Sequence, residues 1–217
     1  MFLDKGRTFY YVLDWSGNKV LRYDDNWNFI EYKNYSYPFH MIVVNTSIYI
    51  IGEYIYKTDK YLNFIKSGGN RGSIRGIYYN QEDNNIYVAM CLNDVKRIDI
   101  LNLGLKSVDY IDLSPYLTGN DNTYSIQGYN GYLYVGSYSG VLIILKNKRF
   151  IEMFNVCDQC PVTSIFFDQF GYMVAAGYLF YPNKTYTGKS LYVRDINFDS
   201  KGRLVVVDGY GNVKVYY

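Results

Sequence analysis

The chain has 217 residues and a formal net charge of +2, and 49% of its residues are hydrophobic and 19% aromatic. A chain this long and aromatic can bury a core and is not disordered. The near-balanced charge does not indicate a nucleic-acid partner, and no apolar run reaches the roughly 18 residues of a membrane-spanning helix.

Short strands joined by tight turns follow one another from the first residues. MFLD, FYYVLD and WSGNKVLRY lie within residues 1–24 and match INFD, RLVVVD and GYGNVKVYY within 196–217. Further groups of strands lie at 40–67, 74–112, 124–154 and 163–193. The strands are rich in Val, Ile, Tyr and Phe and end at Gly, Asn or Asp, which is typical of β-structure. Because no segment has a helical period, we predict almost no helix.

A repeat of four strands that occurs six times indicates a β-propeller, in which stacked blades bury the faces that one blade cannot. We predict an all-β, six-bladed propeller of four-stranded antiparallel blades in a single domain, residues 1–217. The expected blades are residues 1–36, 37–70, 71–120, 121–160, 161–193 and 194–217. The last blade is expected to have three strands, so its edge is open to strand addition by a partner or a second copy.

The segment VLDWSGNKVLRYDDNWNFI, residues 12–30, resembles an NHL-type repeat, and similar patterns recur at 49–65 and 205–217. FDSKGRLVVV and GIYYNQEDNNIYVA are similar to NHL-like propellers predicted in some aquatic invertebrates. NHL-type propellers include RNA readers, protein-interaction platforms, extracellular modules and a few enzymes. This sequence departs from the RNA readers because no face is evidently basic. It departs from the metal-dependent enzymes because it has a single histidine.

Aromatic residues recur in the turns between the second and third strands of the blades. These turns hold Trp15, Tyr54, Tyr138 and Tyr210, and we expect them to share one rim with the connecting segments that contain Arg71, Arg75, Asn93 and Asp94. Aromatic rings beside polar groups are suited to binding a partner protein or to stacking on a sugar ring. We therefore predict a non-catalytic binding or scaffold module for a protein or glycan, with ordinary exposed turn residues as the alternative.

An enzyme is the alternative function. A hydrolase or lyase site at the channel mouth would use His40, Arg75 and an inner-strand aspartate such as Asp168 or Asp199, since inner-strand ends surround that mouth. However, aspartates recur at strand ends throughout the chain, where a carboxylate accepts backbone hydrogen bonds in a turn. This pattern explains them without catalysis, and we predict no cofactor and no metal site.

Cys157 and Cys160 form a C-x-x-C pattern that lacks the second pair of a zinc site. A local disulfide is the favoured interpretation, and two free thiols remain the alternative. The compartment stays open as well. Removal of a leader would favour secretion and membership of a larger extracellular assembly, and otherwise the protein is expected in the cytoplasm.

Overall fold

The computed structural model describes residues 2–4, 7–69, 73–91, 96–119, 121–168, 170–190, 193–198, 204–208 and 213–216. Within these ranges the regular elements are strands and no helix occurs, which confirms the all-β prediction. The described residues accordingly include no helix able to cross a membrane.

The strands form antiparallel meanders in which each strand pairs with the next along the chain. The first sheet contains β1 (Phe2–Asp4), β2 (Arg7–Asp14), β3 (Lys19–Tyr23) and β4 (Phe29–Asn34). The second contains β5 (His40–Val44), β6 (Ser47–Ile51), β7 (Ile55–Asp59) and β8 (Phe64–Gly68). The third contains β9 (Ser73–Asn80), β10 (Asn85–Cys91), β11 (Arg97–Asn102) and β12 (Ser107–Asp112).

The second half of the chain continues the same pattern. The fourth sheet contains β13 (Thr123–Tyr129), β14 (Tyr132–Ser137), β15 (Val141–Lys146) and β16 (Arg149–Asn155). The fifth contains β17 (Ile165–Phe167), β18 (Met173–Ala175), β19 (Tyr178–Phe180) and β20 (Tyr186–Ser190). The last contains β21 (Val193–Phe198), β22 (Leu204–Asp208) and β23 (Val213–Tyr216).

The number of blades corrects the sequence-based prediction. Among the described residues five sheets have the four strands of a blade, so the structure has five blades and not six. The segment expected to form the sixth blade supplies a sheet of three strands, β21–β23. The three strands expected there are present, but the count of six included this three-stranded sheet as a blade.

The chain divides into two compact units. The first comprises Met1–Leu92 and Ile98–Tyr110, and the second comprises Asn93–Arg97 and Ile111–Tyr217. The first unit has a core cluster of Tyr11, Val20, Tyr35, Ile48, Ile50 and Leu62. The second has a cluster around Leu142, Ile144, Val162, Met173 and Phe180. Organisation as a single domain stays a prediction.

One five-residue turn recurs after the strands and explains the spacing of the acidic residues. The carboxylate of Asp24 accepts hydrogen bonds from the N–H groups two and four residues later, at 2.9 and 2.8 Å. Asp59 and Asp168 make the same pair of bonds. The side-chain amide oxygen of Asn102 accepts the two corresponding hydrogen bonds, at 2.9 and 3.1 Å. These bonds show that Asp24, Asp59 and Asp168 cap turns, as expected of aspartates at strand ends, whereas Asp99 lies within β11.

The fourth residue of each turn has a left-handed backbone, with φ of 64° at Trp27, 60° at Leu62 and 60° at Leu105. This conformation costs an L-residue about 1–2 kcal/mol. The side chains nevertheless enter packed regions, since Leu62 and Leu105 are buried and the Trp27 ring stacks on Tyr10 at 4.4 Å. The turns thus supply core residues as well as connections.

Tyrosine hydroxyls connect the first sheet to the turn of the second sheet, and the second sheet to the turn of the third. Tyr11 on β2 donates to the carbonyl of Lys60 at 2.7 Å, and Tyr49 on β6 donates to the carbonyl of Leu103 at 2.9 Å. Tyr35 donates to the carbonyl of Leu62 at 2.7 Å. Burial and the nearby Asp59 and Tyr56 raise the pKa of Tyr35 to about 12, so its hydroxyl stays protonated to a higher pH than that of an exposed tyrosine.

Replacing Asp59 by asparagine is expected to reduce the acid sensitivity of the fold. Burial raises the pKa of the Asp59 carboxyl, but hydrogen bonds from Asn63 and Tyr61 and the nearby Arg22 lower it overall. A lowered folded-state pKa gives stability that is present above the unfolded value, near 3.9, and is lost as pH falls through the folded value. Asn102 shows that an amide oxygen can hold the same backbone bonds.

Urea unfolding at neutral pH and between about pH 5 and about pH 3 measures this difference. We expect Asp59→Asn to lose less stability on acidification than the wild type, and Asp59→Ala to cost about 1–2 kcal/mol at neutral pH. Asp25→Asn, at an exposed carboxylate in the preceding turn, is the control. Parallel acid profiles of the wild type and Asp59→Asn would contradict the role of the ionised cap.

Candidate functional site

Trp15 is presented by a turn whose backbone is closely held. Residues 15–18 join β2 to β3, and Asp14 Oδ1 accepts hydrogen bonds from the Gly17 N–H at 2.8 Å and the Ser16 hydroxyl at 3.0 Å. A Cβ at Gly17 would lie 2.2 Å from Asp14 Oδ2, so a larger residue there would require the carboxylate to move. The turn leaves Trp15 47% exposed on a fixed backbone.

The segment between the first two sheets brings two more rings to Trp15. The Tyr37 N–H donates to Asn18 Oδ1 at 2.8 Å, and the Phe39 N–H donates to the carbonyl of Ile51 at 2.8 Å. The Trp15 ring lies 6.5 Å from Tyr37 and 5.9 Å from Phe39. Tyr37 is 53% exposed. The connection is therefore anchored on both sides and still displays an aromatic surface.

Arg75 completes this surface, and its position corrects the sequence-based interpretation. It was expected in a connecting segment, but it lies within β9 at a β-bulge, because Ile74 and Gly76 pair with the consecutive residues Met90 and Ala89. A bulge redirects the extra side chain. The Arg75 guanidinium carbon lies 3.7 Å from the centroid of the Phe39 ring, a close cation–π contact. We call Trp15, Tyr37, Phe39 and Arg75 the rim cluster.

The structure brings together some of the predicted binding residues and leaves others apart. Trp15 and Arg75 meet through Phe39, whereas Tyr54 is half-buried and lies 6.3 Å from Tyr56. In the second unit, exposed Tyr138 lies 6.0 Å from Tyr124. Four predicted binding residues lie outside the described ones: Arg71, Asn93, Asp94 and Tyr210.

Sequence reasoning missed Tyr37 and Phe39 in the rim cluster and Tyr124 beside Tyr138. Tyr124 occupies the same bulge position in β13 as Arg75 does in β9, because Thr123 and Ser125 pair with Ser137 and Gly136. The bulge is a matter of register between two strands, and no local sequence signal marks it. The loop NYSYPF, by contrast, carries visible aromatic residues at 37 and 39.

The residues of the alternative enzyme site have local structural roles or fall outside the described chain. His40 opens β5 opposite Ile51 and is half-buried. The carboxylate of Asp168 accepts hydrogen bonds from the N–H groups of Phe170 and Tyr172, at 2.8 and 2.9 Å. Asp199 lies outside the described residues. Within the described ranges, no group of three or more His, Cys, Asp or Glu side chains could hold a metal ion.

Cys157 and Cys160 are joined by a disulfide in the segment between the fourth and fifth sheets, with their Cα atoms 5.8 Å apart. The carbonyl of Cys157 sits against Gly140, where a Cβ would approach it to 2.0 Å and where φ is 100°. We propose that the same disulfide forms in the compartment where the protein naturally occurs. An intact mass lower by two hydrogens than that of the reduced chain would support it.

The structure is similar to solved proteins of very different sequence. It aligns with the WD40 domain of Pan2 from Neurospora crassa with a TM-score of 0.60 and 11% identity, over 92% of this chain and 72% of that domain. It aligns with the computationally designed protein Ika8 with a TM-score of 0.58 and 11% identity, over 92% of this chain. The chain spans 65% of the designed protein.

These similarities confirm the β-propeller fold. The sequence matches no family model and no curated protein. The resemblance to NHL-type repeats therefore stays a prediction.

Proposed function

We propose that the chain is a non-catalytic binding module that holds a protein partner on the rim cluster. The observation that carries this proposal is the exposure of Trp15 and Tyr37 on hydrogen-bonded backbone beside Arg75. Trp, Tyr and Arg are the residue types most enriched where binding energy concentrates in protein interfaces. Rings already held in place also lose little conformational freedom on binding.

A protein is favoured over a glycan as the partner because the rings of the rim cluster are tilted against one another. The planes of Trp15 and Tyr37 meet at 48°, and those of Trp15 and Phe39 meet at 35°. Such a surface is uneven and suits interdigitating side chains, whereas a sugar ring stacks best on one flat face. A glycan remains the second partner class.

Affinity capture from an extract of the source organism tests the proposal. Immobilised wild-type chain and Tyr138→Ala, a matched variant at an exposed aromatic residue of the β14–β15 turn, should retain the same protein partner in quantitative mass spectrometry. Capture of a glycan without any protein would mean that the partner is a glycan and not a protein. If the wild-type chain converts a small molecule that it captured from the extract, and His40→Ala does not, the alternative function as a hydrolase or lyase would be favoured.

We also propose that the chain belongs to a larger assembly. The outermost strands of the first four sheets carry exposed apolar residues: Phe29, Ile30, Tyr32, Phe64, Ile65, Val108, Tyr110, Phe150, Ile151 and Met153. Exposed apolar edge strands favour association between chains. Addition of a strand at β23, whose Lys214 is exposed, stays part of this proposal. Sedimentation velocity should show self-association that Phe64→Ser weakens.

A further inference from the structure

A second aromatic surface lies in the other compact unit, where the β13–β14 hairpin meets the fifth sheet. It encloses a pocket of about 240 Å³. Its walls are mostly rings, with one amide and one amine: Tyr129, Tyr132, Phe167, Phe170, Tyr181, Asn130 and Lys184. We call it the tyrosine pocket. None of these residues belongs to the rim cluster.

The floor of the tyrosine pocket is firmly packed. Tyr129 and Phe167 stack with centroids 4.3 Å apart and planes 6° from parallel, and Tyr134 lies 4.6 Å from Phe167. Met173 is buried beneath them. These contacts hold the inner rings in place before any ligand arrives, so binding need not order them.

Glycine keeps the pocket open. Gly171 has a φ of 89°, and a Cβ there would lie 3.4 Å from the Tyr129 hydroxyl and 3.5 Å from Pro182. A side chain at this position would occupy the space between the two walls. The positive φ in the turn that Asp168 caps favours glycine here, and glycine leaves the space between Tyr129 and Pro182 empty.

The mouth of the pocket presents exposed rings. Phe170 is 71% exposed and Tyr181 is 45% exposed, and the Tyr181 ring lies 5.8 Å from that of Tyr172. Phe170 and Tyr181 line the pocket together with Tyr129 and Tyr132, so an apolar group that enters it meets aromatic rings. Tyr hydroxyls and the Asn130 amide add hydrogen-bond donors.

Positive charge borders the pocket. The Lys146 amine lies 4.6 Å from the centroid of the Tyr132 ring, and Lys146 pairs with Arg149, the first residue of β16. Lys184 forms an ion pair with Glu152, which neutralises it. The positive charges of Lys146 and its pairing partner Arg149 favour a ligand with acidic groups on the Tyr132 side of the pocket.

We propose that the tyrosine pocket binds an extended, proline-containing segment of a partner protein with acidic residues next to the prolines. Proline rings fit slots between aromatic side chains, and a polyproline II segment loses little entropy because it is already extended. Its carbonyls make no internal hydrogen bonds, so the tyrosine and asparagine donors can satisfy them. A cationic ligand is disfavoured by the basic turn.

Fluorescence anisotropy with the full chain and the labelled synthetic peptide EEPPPPPPEE tests this site. We expect saturable binding at about 100 μM or tighter. The peptide KKPPPPPPKK should bind about tenfold more weakly, and EEAAAAAAEE should not bind. Lys146→Glu should reduce the difference in affinity between EEPPPPPPEE and KKPPPPPPKK.

Two pocket variants and a control complete the experiment. Phe170→Ala and Tyr181→Ala are each expected to weaken binding about tenfold, and both residues are exposed enough for the fold to tolerate the change. Tyr138→Ala, at an exposed tyrosine of the same unit, should bind normally. No binding of EEPPPPPPEE, or binding that neither pocket variant weakens, would overturn the proposal. Binding of an oligosaccharide in place of the peptide would overturn it too.

Discussion

Replacing Leu62 by alanine is expected to lower the free energy of unfolding by about 3 kcal/mol, although Leu62 lies in a turn. The residue is 1% exposed and packs with Tyr11, Val20 and Ile48. Alanine keeps the strain of an L-residue at a φ of 60°, so the change measures the cavity alone.

Two comparisons make this prediction specific. Leu62→Gly relieves the left-handed backbone and should be no worse than Leu62→Ala, which reverses the usual order of alanine and glycine. Tyr61→Ala, at the exposed neighbour in the same turn, should cost less than about 1 kcal/mol. Urea unfolding of the four proteins gives the values. Equal effects at positions 61 and 62 would mean that the turn does not supply a core residue.

Replacing Trp15 by alanine is expected to weaken binding of the captured partner at least about 30-fold. The side chain makes ring contacts with Tyr37 and Phe39 but is about half exposed, so its loss removes a binding surface with little loss of core packing. Stability should change by less than about 1 kcal/mol.

Surface plasmon resonance with the purified partner measures this loss of affinity. Tyr138→Ala removes the aromatic residue from the equivalent β14–β15 turn of the second unit and is the matched control. Arg75→Lys keeps the charge but loses the flat guanidinium on Phe39, so an intermediate loss is expected. Unchanged affinity of Trp15→Ala would remove Trp15 from the proposed interface.

Much of the local structure could be predicted from the sequence. The strands of alternating Val, Ile and Tyr, the aspartates at their ends and the turn positions of Trp15 and Tyr138 all follow from short-range patterns. Such patterns depend on residues a few positions apart, which a sequence displays directly.

Features that depend on pairing between distant residues could not be predicted. The bulges at Arg75 and Tyr124 arise from the register against β10 and β14, and the register is set across the sheet. Burial of Leu62 in a turn contradicts the usual polarity of turns. The predicted number of blades was wrong because the three-stranded sheet β21–β23 was counted as a blade.

Site-specific photo-crosslinking tests the central claim, that the rim cluster holds a protein, most directly. A benzophenone side chain at position 37 samples the rim cluster, and the same group at position 64 samples an equally exposed ring on an outer strand. After irradiation in an extract of the source organism, position 37 should give one discrete crosslinked protein that position 64 does not, and Trp15→Ala should abolish it. The same crosslinks from both positions, or none from position 37, would contradict the account.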